Sequence, residues 1–224
     1  PPARPPARSL AAATLRAMAK GAHPPRRGGA PCITGGKGRG GGARKKQPVL
    51  FNISQAQVVR AVRSLYADQL EPFGRILLRR VREQCAAFIA AQTGEPYASI
   101  DDAPYVDPKS LQTVRRRCPE LEVHDVDGNE VTVLLTDTEP RFIDISSPED
   151  CYPPELWSAA RAYFGSLAGG EMLLPGGRYA CAQTVLAMRL PFLAGLSLGQ
   201  VCHVVQLAIS QKRILGYVDG SIVP

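Results

Sequence analysis

The chain has 224 residues, 45% of them apolar, and a formal charge of +7 at pH 7, enough sequence for one domain or two small ones. The charge is unevenly placed: residues 1–50 hold 7 Arg, 4 Lys and no acid, so +11 sits there and −4 on residues 51–224. No apolar run reaches the roughly 18 residues of a membrane span, and Cys32, Cys85, Cys118, Cys151, Cys181 and Cys202 show neither a Cys-x-x-Cys pair nor a zinc spacing, which argues against a membrane protein, a zinc module and a small secreted disulfide scaffold.

Residues 1–48 read as a disordered basic tail. Residues 1–50 contain 8 Pro and 9 Gly, a composition that cannot bury a core. One short helix is expected at Ser9–Lys20, with Leu10, Ala13, Thr14 and Ala17 on one side; it reads either as a targeting helix or as plain disorder. Gly35–Lys46 alternates glycine with cations, including Arg39, Arg44, Lys45 and Lys46. In such a segment glycine keeps the backbone mobile while arginine pairs with phosphates and stacks on bases. A nuclear-import patch or a linker with incidental charge are the competing readings. Gly36-Lys37-Gly38 is no nucleotide loop, because the P-loop spacing and its flanking strand and helix are missing.

The first folded module is expected over residues 49–135. Ser54 caps a helix to about Leu70, with Val58, Val62, Leu65, Tyr66 and Gln69 at helical spacing. A Phe73-Gly74 corner leads to a second helix, about Arg75–Ala91, with Ile76, Leu77, Val81, Phe88 and Ile89 available for the core. Arg75, Arg79 and Arg82 fall on one face of it, either as a phosphate-tracking stripe or as an ordinary exposed face partly paired with Glu83. Residues 92–106 read as a loop insertion, and Asp101-Asp102 within it as solvated acids. Asp107-Pro108 opens a third helix that carries Leu111 and Val114 inward and ends in Arg115-Arg116-Arg117. Those arginines are candidates for phosphate or guanine contacts; a solvated helix end satisfying the macrodipole is the alternative. A hairpin follows, its Leu121, Val123, Val131, Val133 and Leu135 alternating with polar residues.

Residues 136–153 form a proline-rich linker whose centre, Arg141–Ile145, is expected as an edge strand. The second module spans 154–224. Leu156, Ala160, Tyr163, Phe164 and Leu167 stripe its first helix, with Trp157 beside them. Leu174–Arg178 is expected to be a tight turn with glycines at positive φ, or less simply an anion cradle. Helices follow near Tyr179–Leu190 and over Leu198–Lys212, the latter capped by Ser197 and mostly apolar. His203 beside Cys202 makes a poor metal pair, since adjacent helical residues point about 100° apart. The last strands, Ile214–Val218 and Ser221–Val223, turn at Asp219-Gly220.

Both halves therefore repeat one pattern of helix, apolar strand, Val-Asp-Gly and strand. In the first half it is Pro108–Cys118, Leu121–Val126, Asp127-Gly128-Asn129 and Val131–Leu135. The fold class expected is α+β, mainly helical: tandem winged-helix-like modules, each of three helices plus a β-hairpin. Val58–Leu135 resembles the LOTUS (OST-type) winged-helix family, on the order of its helices, its Phe-Gly corner, Leu111–Cys118, the Pro119-Glu120-Leu121-Glu122-Val123 transition and the strand Val131–Leu135. The insertion at 92–106 departs from that pattern. The resemblance implies an adaptor in RNA regulation that binds RNA or a helicase partner.

These features point to a non-enzymatic nucleic-acid-binding adaptor, with RNA favoured over DNA and no cofactor, metal or membrane. The expected contacts are Arg39, Arg44, Lys45, Lys46, Arg75, Arg79, Arg82, Arg115, Arg116 and Arg117. Residues 51–117 hold 10 basic and 7 acidic residues, against 6 and 13 in 118–224, so phosphate contacts belong to the tail and the first module. A protein-interaction scaffold is the alternative, and an enzyme with its site in the 92–107 loop a third. An intracellular protein, cytoplasmic or nuclear, fits the cysteine usage; organelle targeting stays open because the chain begins with Pro1.

Overall fold

A computed structural model describes residues 51–95, 97, 105–126, 130–167 and 172–224. The expected disordered tail, the Ser9–Lys20 helix and the turn at Asp127–Asn129 lie outside them. Among the described residues the chain forms six α-helices, a 3₁₀ turn and two antiparallel hairpins, the mainly helical α+β class read from the sequence.

The first half begins with α1 (Gln55–Ala67). Ser54 and Gln57 close a capping box: the Gln57 amide donates to Ser54 Oγ, and the Ser54 amide donates to Gln57 Oε1 at 2.8 Å, which satisfies amides the helix itself leaves orphaned. α1 buries Val58, Val59, Ala61, Val62 and Leu65 and carries α2 (Gly74–Thr93), α3 (Pro108–Arg116) and the second strand of the hairpin β1 (Leu121–Val126) and β2 (Glu130–Leu135) against it. Asp107 caps α3, accepting the Lys109 and Ser110 amides, both at 3.1 Å. Strand register runs from Leu121 opposite Leu135 to Val126 opposite Glu130. Phe73, just before α2, bridges to Thr132, and the Val133 amide donates to Pro72 O at 3.0 Å. The corner between α1 and α2 is thus a third edge on the hairpin.

The second half repeats this arrangement with α4 (Pro154–Leu167), α5 (Arg178–Ala187), the 3₁₀ turn Pro191–Leu193, α6 (Leu198–Ser210) and the hairpin β3 (Gly216–Val218) and β4 (Ser221–Val223). Leu174, before α5, exchanges both backbone bonds with Ile222, at 2.8 and 2.9 Å. That residue is to β4 what Phe73 is to β2. Asp219 and Gly220 turn β3 into β4 with φ of 47° and 82°, the positive values a two-residue type I′ hairpin needs.

Buried residues of both halves join in one apolar cluster. α6 starts against the end of α1: the Gly199 amide donates to Asp68 O at 2.8 Å, and Ser197 Oγ donates to Gln69 Oε1 at 2.8 Å. Ser147–Tyr152 lies across α6. There Tyr152 OH meets Gln200 O at 3.0 Å and His203 Nδ1 at 3.1 Å, while His203 Nε2 reaches Ser147 O at 3.0 Å. His203 is thus a buried, hydrogen-bonded core residue.

Several sequence expectations are corrected. Arg141–Ile145 is not an edge strand; the Ile143 amide is spent on Gln69 O at 2.9 Å and Ile145 is buried. α2 runs on to Thr93, two turns past its last buried residue, Cys85, so Phe88 is 48% exposed and does not enter the core. β3 starts at Gly216, and Ile214 and Leu215 are core residues ahead of it. The glycines before α5 do not serve positive φ. Gly177 is the extended N-cap at φ −93°, and a Cβ on Gly176 would lie 1.6 Å from Gly220 O, so that position needs close approach.

Candidate nucleic-acid interface

The arginines singled out from the sequence divide into distinct environments. On α2, Arg75 is exposed, and Arg79 and Arg82 are half-buried. Arg79 donates Nε to Glu83 Oε1 at 3.1 Å and lies 5.2 Å from the centre of the Tyr179 ring. Its side chain is therefore engaged with α5. The neighbouring Arg80 is buried and ties the halves together, donating to Ser64 Oγ, Asp68 Oδ2 and Tyr179 OH. Tyr179 OH in turn donates to Glu83 Oε2 at 2.9 Å, which also accepts from Gln183 Nε2 at 3.1 Å. This network fills the charge valences of the middle of α2 from within the protein.

On α3 the three arginines separate by helical phase. Arg115 falls four residues after Leu111, on the packed face, and is only 5% exposed. It is not part of an exposed helix end, which corrects the expectation that all three side chains are solvated. Arg116 and Arg117 are exposed. Lys109, Gln112 and Thr113 are exposed as well, and Lys109, Thr113 and Arg116 stand at i, i+4 and i+7, one outward face. The sequence reading passed over Lys109, although its spacing from Arg116 signals that face.

Two hydrogen bonds bring the root of the tail beside α3. The Phe51 amide donates to Tyr105 O at 2.9 Å, two residues ahead of the Asp107 cap. At the other end Gln55 Nε2 donates to Arg117 O at 3.2 Å. Lys46 is five residues before Phe51, so it stays within about 18 Å of that root at full extension. Arg39, Arg44, Lys45 and Lys46 themselves lie outside the described residues.

Four of the five cysteines among the described residues are core residues. Cys85, Cys118, Cys181 and Cys202 are buried, and burial pushes the Cys85 thiol up to about 11 and those of Cys181 and Cys202 to about 12, the behaviour of small core hydrophobes. Among the described residues no group of three or more His, Cys, Asp or Glu is placed to hold a metal ion, and no helix is long and apolar enough to cross a membrane.

Residues 169–224 match the family model of the OST-HTH Associated domain. The match spans α5, α6 and the second hairpin and starts after α4. It names a domain associated with OST-HTH, the family that Val58–Leu135 resembles. No curated protein and no solved structure matches the chain.

Proposed function

We propose that this protein is a non-enzymatic adaptor that binds nucleic acid, RNA in preference to DNA, through the basic tail and the outward face of α3. The observation that carries this reading is the convergence at α3: Phe51 and Gln55, where the +11 segment meets the fold, are hydrogen-bonded to Tyr105 and Arg117 at its two ends. The tail supplies long-range attraction and α3 a fixed set of cations, Lys109, Arg116 and Arg117. Arg75 lies on α2, and we assign it a subsidiary phosphate contact. The OST-HTH Associated match supports the regulatory setting, since the LOTUS-type resemblance of the first half implies RNA regulation. In this reading residues 49–135 and 154–224 are two winged-helix-like modules, the second serving as a brace for the first.

The test is a titration of the full chain against RNA and DNA over a range of salt. Arg116 and Arg117 replaced by Gln, and separately Arg39, Arg44, Lys45 and Lys46 replaced by Gln, should each weaken binding. Each lost phosphate contact should flatten the slope of log affinity against log salt by about 0.7 to 0.9. Wild-type affinity and slope in both variants would refute the reading.

A protein-partner role is favoured by one separate observation. Leu173 (69% exposed) and Val218 are solvent-facing, and both register on the face of the second sheet opposite to the buried Leu174 and Ile222. An outward sheet face carrying aliphatic side chains is what a docking partner would cover. Leu173→Lys with Val218→Lys should then abolish a protein contact and leave nucleic-acid affinity unchanged.

A further inference from the structure

We infer that the nucleic acid bound at α3 is single-stranded RNA and that Tyr105 stacks on one of its bases; the inference rests on the RNA-binding reading above and deepens it. Tyr105 is 42% exposed, a large aromatic left in solvent at the point where the basic tail meets the fold. Its backbone is held at its carbonyl and on the side that leads into α3. Its carbonyl accepts the Phe51 amide at 2.9 Å, and the chain after it passes through buried Val106 into the Asp107 cap, whose carboxylate holds the Lys109 and Ser110 amides. The ring is thus exposed where the chain enters α3, four residues ahead of Lys109 in sequence.

The geometry also separates ligand classes. A helix face such as Lys109, Gln112, Thr113 and Arg116 can enter the major groove of B-form DNA, but the deep, narrow major groove of A-form RNA does not admit it. Duplex RNA would offer this surface chiefly phosphates and 2′-hydroxyls, so contact with RNA bases here needs them unpaired. Unpaired bases stack on aromatic rings while cations track the backbone, and Tyr105 offers an exposed ring at the entry to the helix that carries those cations.

The experiment uses the full chain and fluorescence anisotropy with a mixed-sequence RNA of about 15 nucleotides, the same RNA as a duplex, and the matching DNA duplex. Wild type should favour the single strand. Tyr105→Leu should weaken single-strand binding by about five- to a hundredfold, with duplex affinity and the salt slope unchanged because stacking releases no counterions. Tyr105→Phe should retain wild-type binding. Both variants should melt with wild type. In parallel, 4-thiouridine placed in the single strand should crosslink to Tyr105 in the unmodified protein, a readout independent of any variant's folding. Equal loss on all three ligands, no loss in Tyr105→Leu, or crosslinks confined to other segments would overturn the inference and leave the RNA-binding reading standing. Tighter wild-type binding to the DNA duplex would overturn it too. Failure of wild type to bind any of the three would remove both.

Discussion

The backbone amide of Gly199 donates to the carbonyl of Asp68 at 2.8 Å, so the first turn of α6 sits on the last turn of α1. An orphan amide of one helix meets an orphan carbonyl at the end of the other, so the positive end of one macrodipole faces the negative end of the other. The approach depends on the missing side chain. A Cβ on Gly199 would lie 2.7 Å from Gln69 O and 2.8 Å from Asp68 O, both rigid backbone atoms.

Gly199→Ala tests that approach. In an open helix the exchange would gain about 1 kcal/mol. Here overpacking reverses the sign, and a net loss of about 1–3 kcal/mol is expected. For a chain of this size that is a fall of roughly 2–4 °C in melting temperature per kcal/mol, readable by thermal melting. An increase would mean that the helices part freely.

Arg80→Ala should be the most damaging substitution on α2. It leaves Asp68 without its cation while Glu83 keeps Arg79; breaking a fully buried ion pair from one side costs about 3–5 kcal/mol, and the part-exposed Asp68 brings the loss toward the lower end. Tyr179→Phe removes hydroxyl bonds only and should cost about 1 kcal/mol. Urea unfolding of both single variants and the double variant should show coupling, the double losing less than the sum.

The arginines at the end of α3 should separate by experiment as they do by burial. Arg115→Gln should destabilise the fold by about 1–3 kcal/mol. Arg116→Gln and Arg117→Gln should leave stability within about 0.5 kcal/mol while weakening RNA binding. Equal stability of all three variants would contradict the burial of Arg115.

Glu71 gives a pH signature. The residue is buried, with Oε1 accepting from Thr132 Oγ1 at 3.1 Å and Oε2 without a hydrogen-bond partner among the described residues. Burial raises its carboxyl above the ordinary value; the Thr132 bond opposes this and the charge of Asp144 adds to it. A carboxyl raised in the folded state binds its proton more tightly there. Its contribution to stability is complete below the unfolded value and is lost as pH rises through the folded one. Glu71→Gln removes this titration. Relative to wild type, its melting temperature should therefore rise between pH 4 and pH 8. A constant difference across that range would contradict the buried placement.

Local rules made much of the fold legible. The Ser54 and Ser197 caps, the Asp107-Pro108 start and the alternating hairpin strands all follow from neighbours within a few residues, and the structure shows them. What escaped depends on partners far along the chain. Arg80 is buried because Tyr179 lies 99 residues on, and nothing in the phase of α2 announces that. The Phe73 and Leu174 bridges join single residues across 59 and 48 positions, too short to show as strands. Arg115 could have been read, since it repeats Leu111 after one turn; a run of three arginines obscured the phase. For the candidate interface, the cations were legible as composition, but the meeting of Tyr105 with the root of the tail comes only from the Phe51 hydrogen bond.

The bridge from Leu174 to Ile222 also sets an order of maturation on the ribosome. The first sheet can close once residue 135 has been made, whereas the second waits for the wholly buried Ile222. Until Ile222 emerges the segment before α5 has no strand to pair with, and α6, made earlier, meets α1 beside a half-built second sheet. Early pairing of the first half, which domains made first generally achieve, gives the later segments a surface on which to assemble.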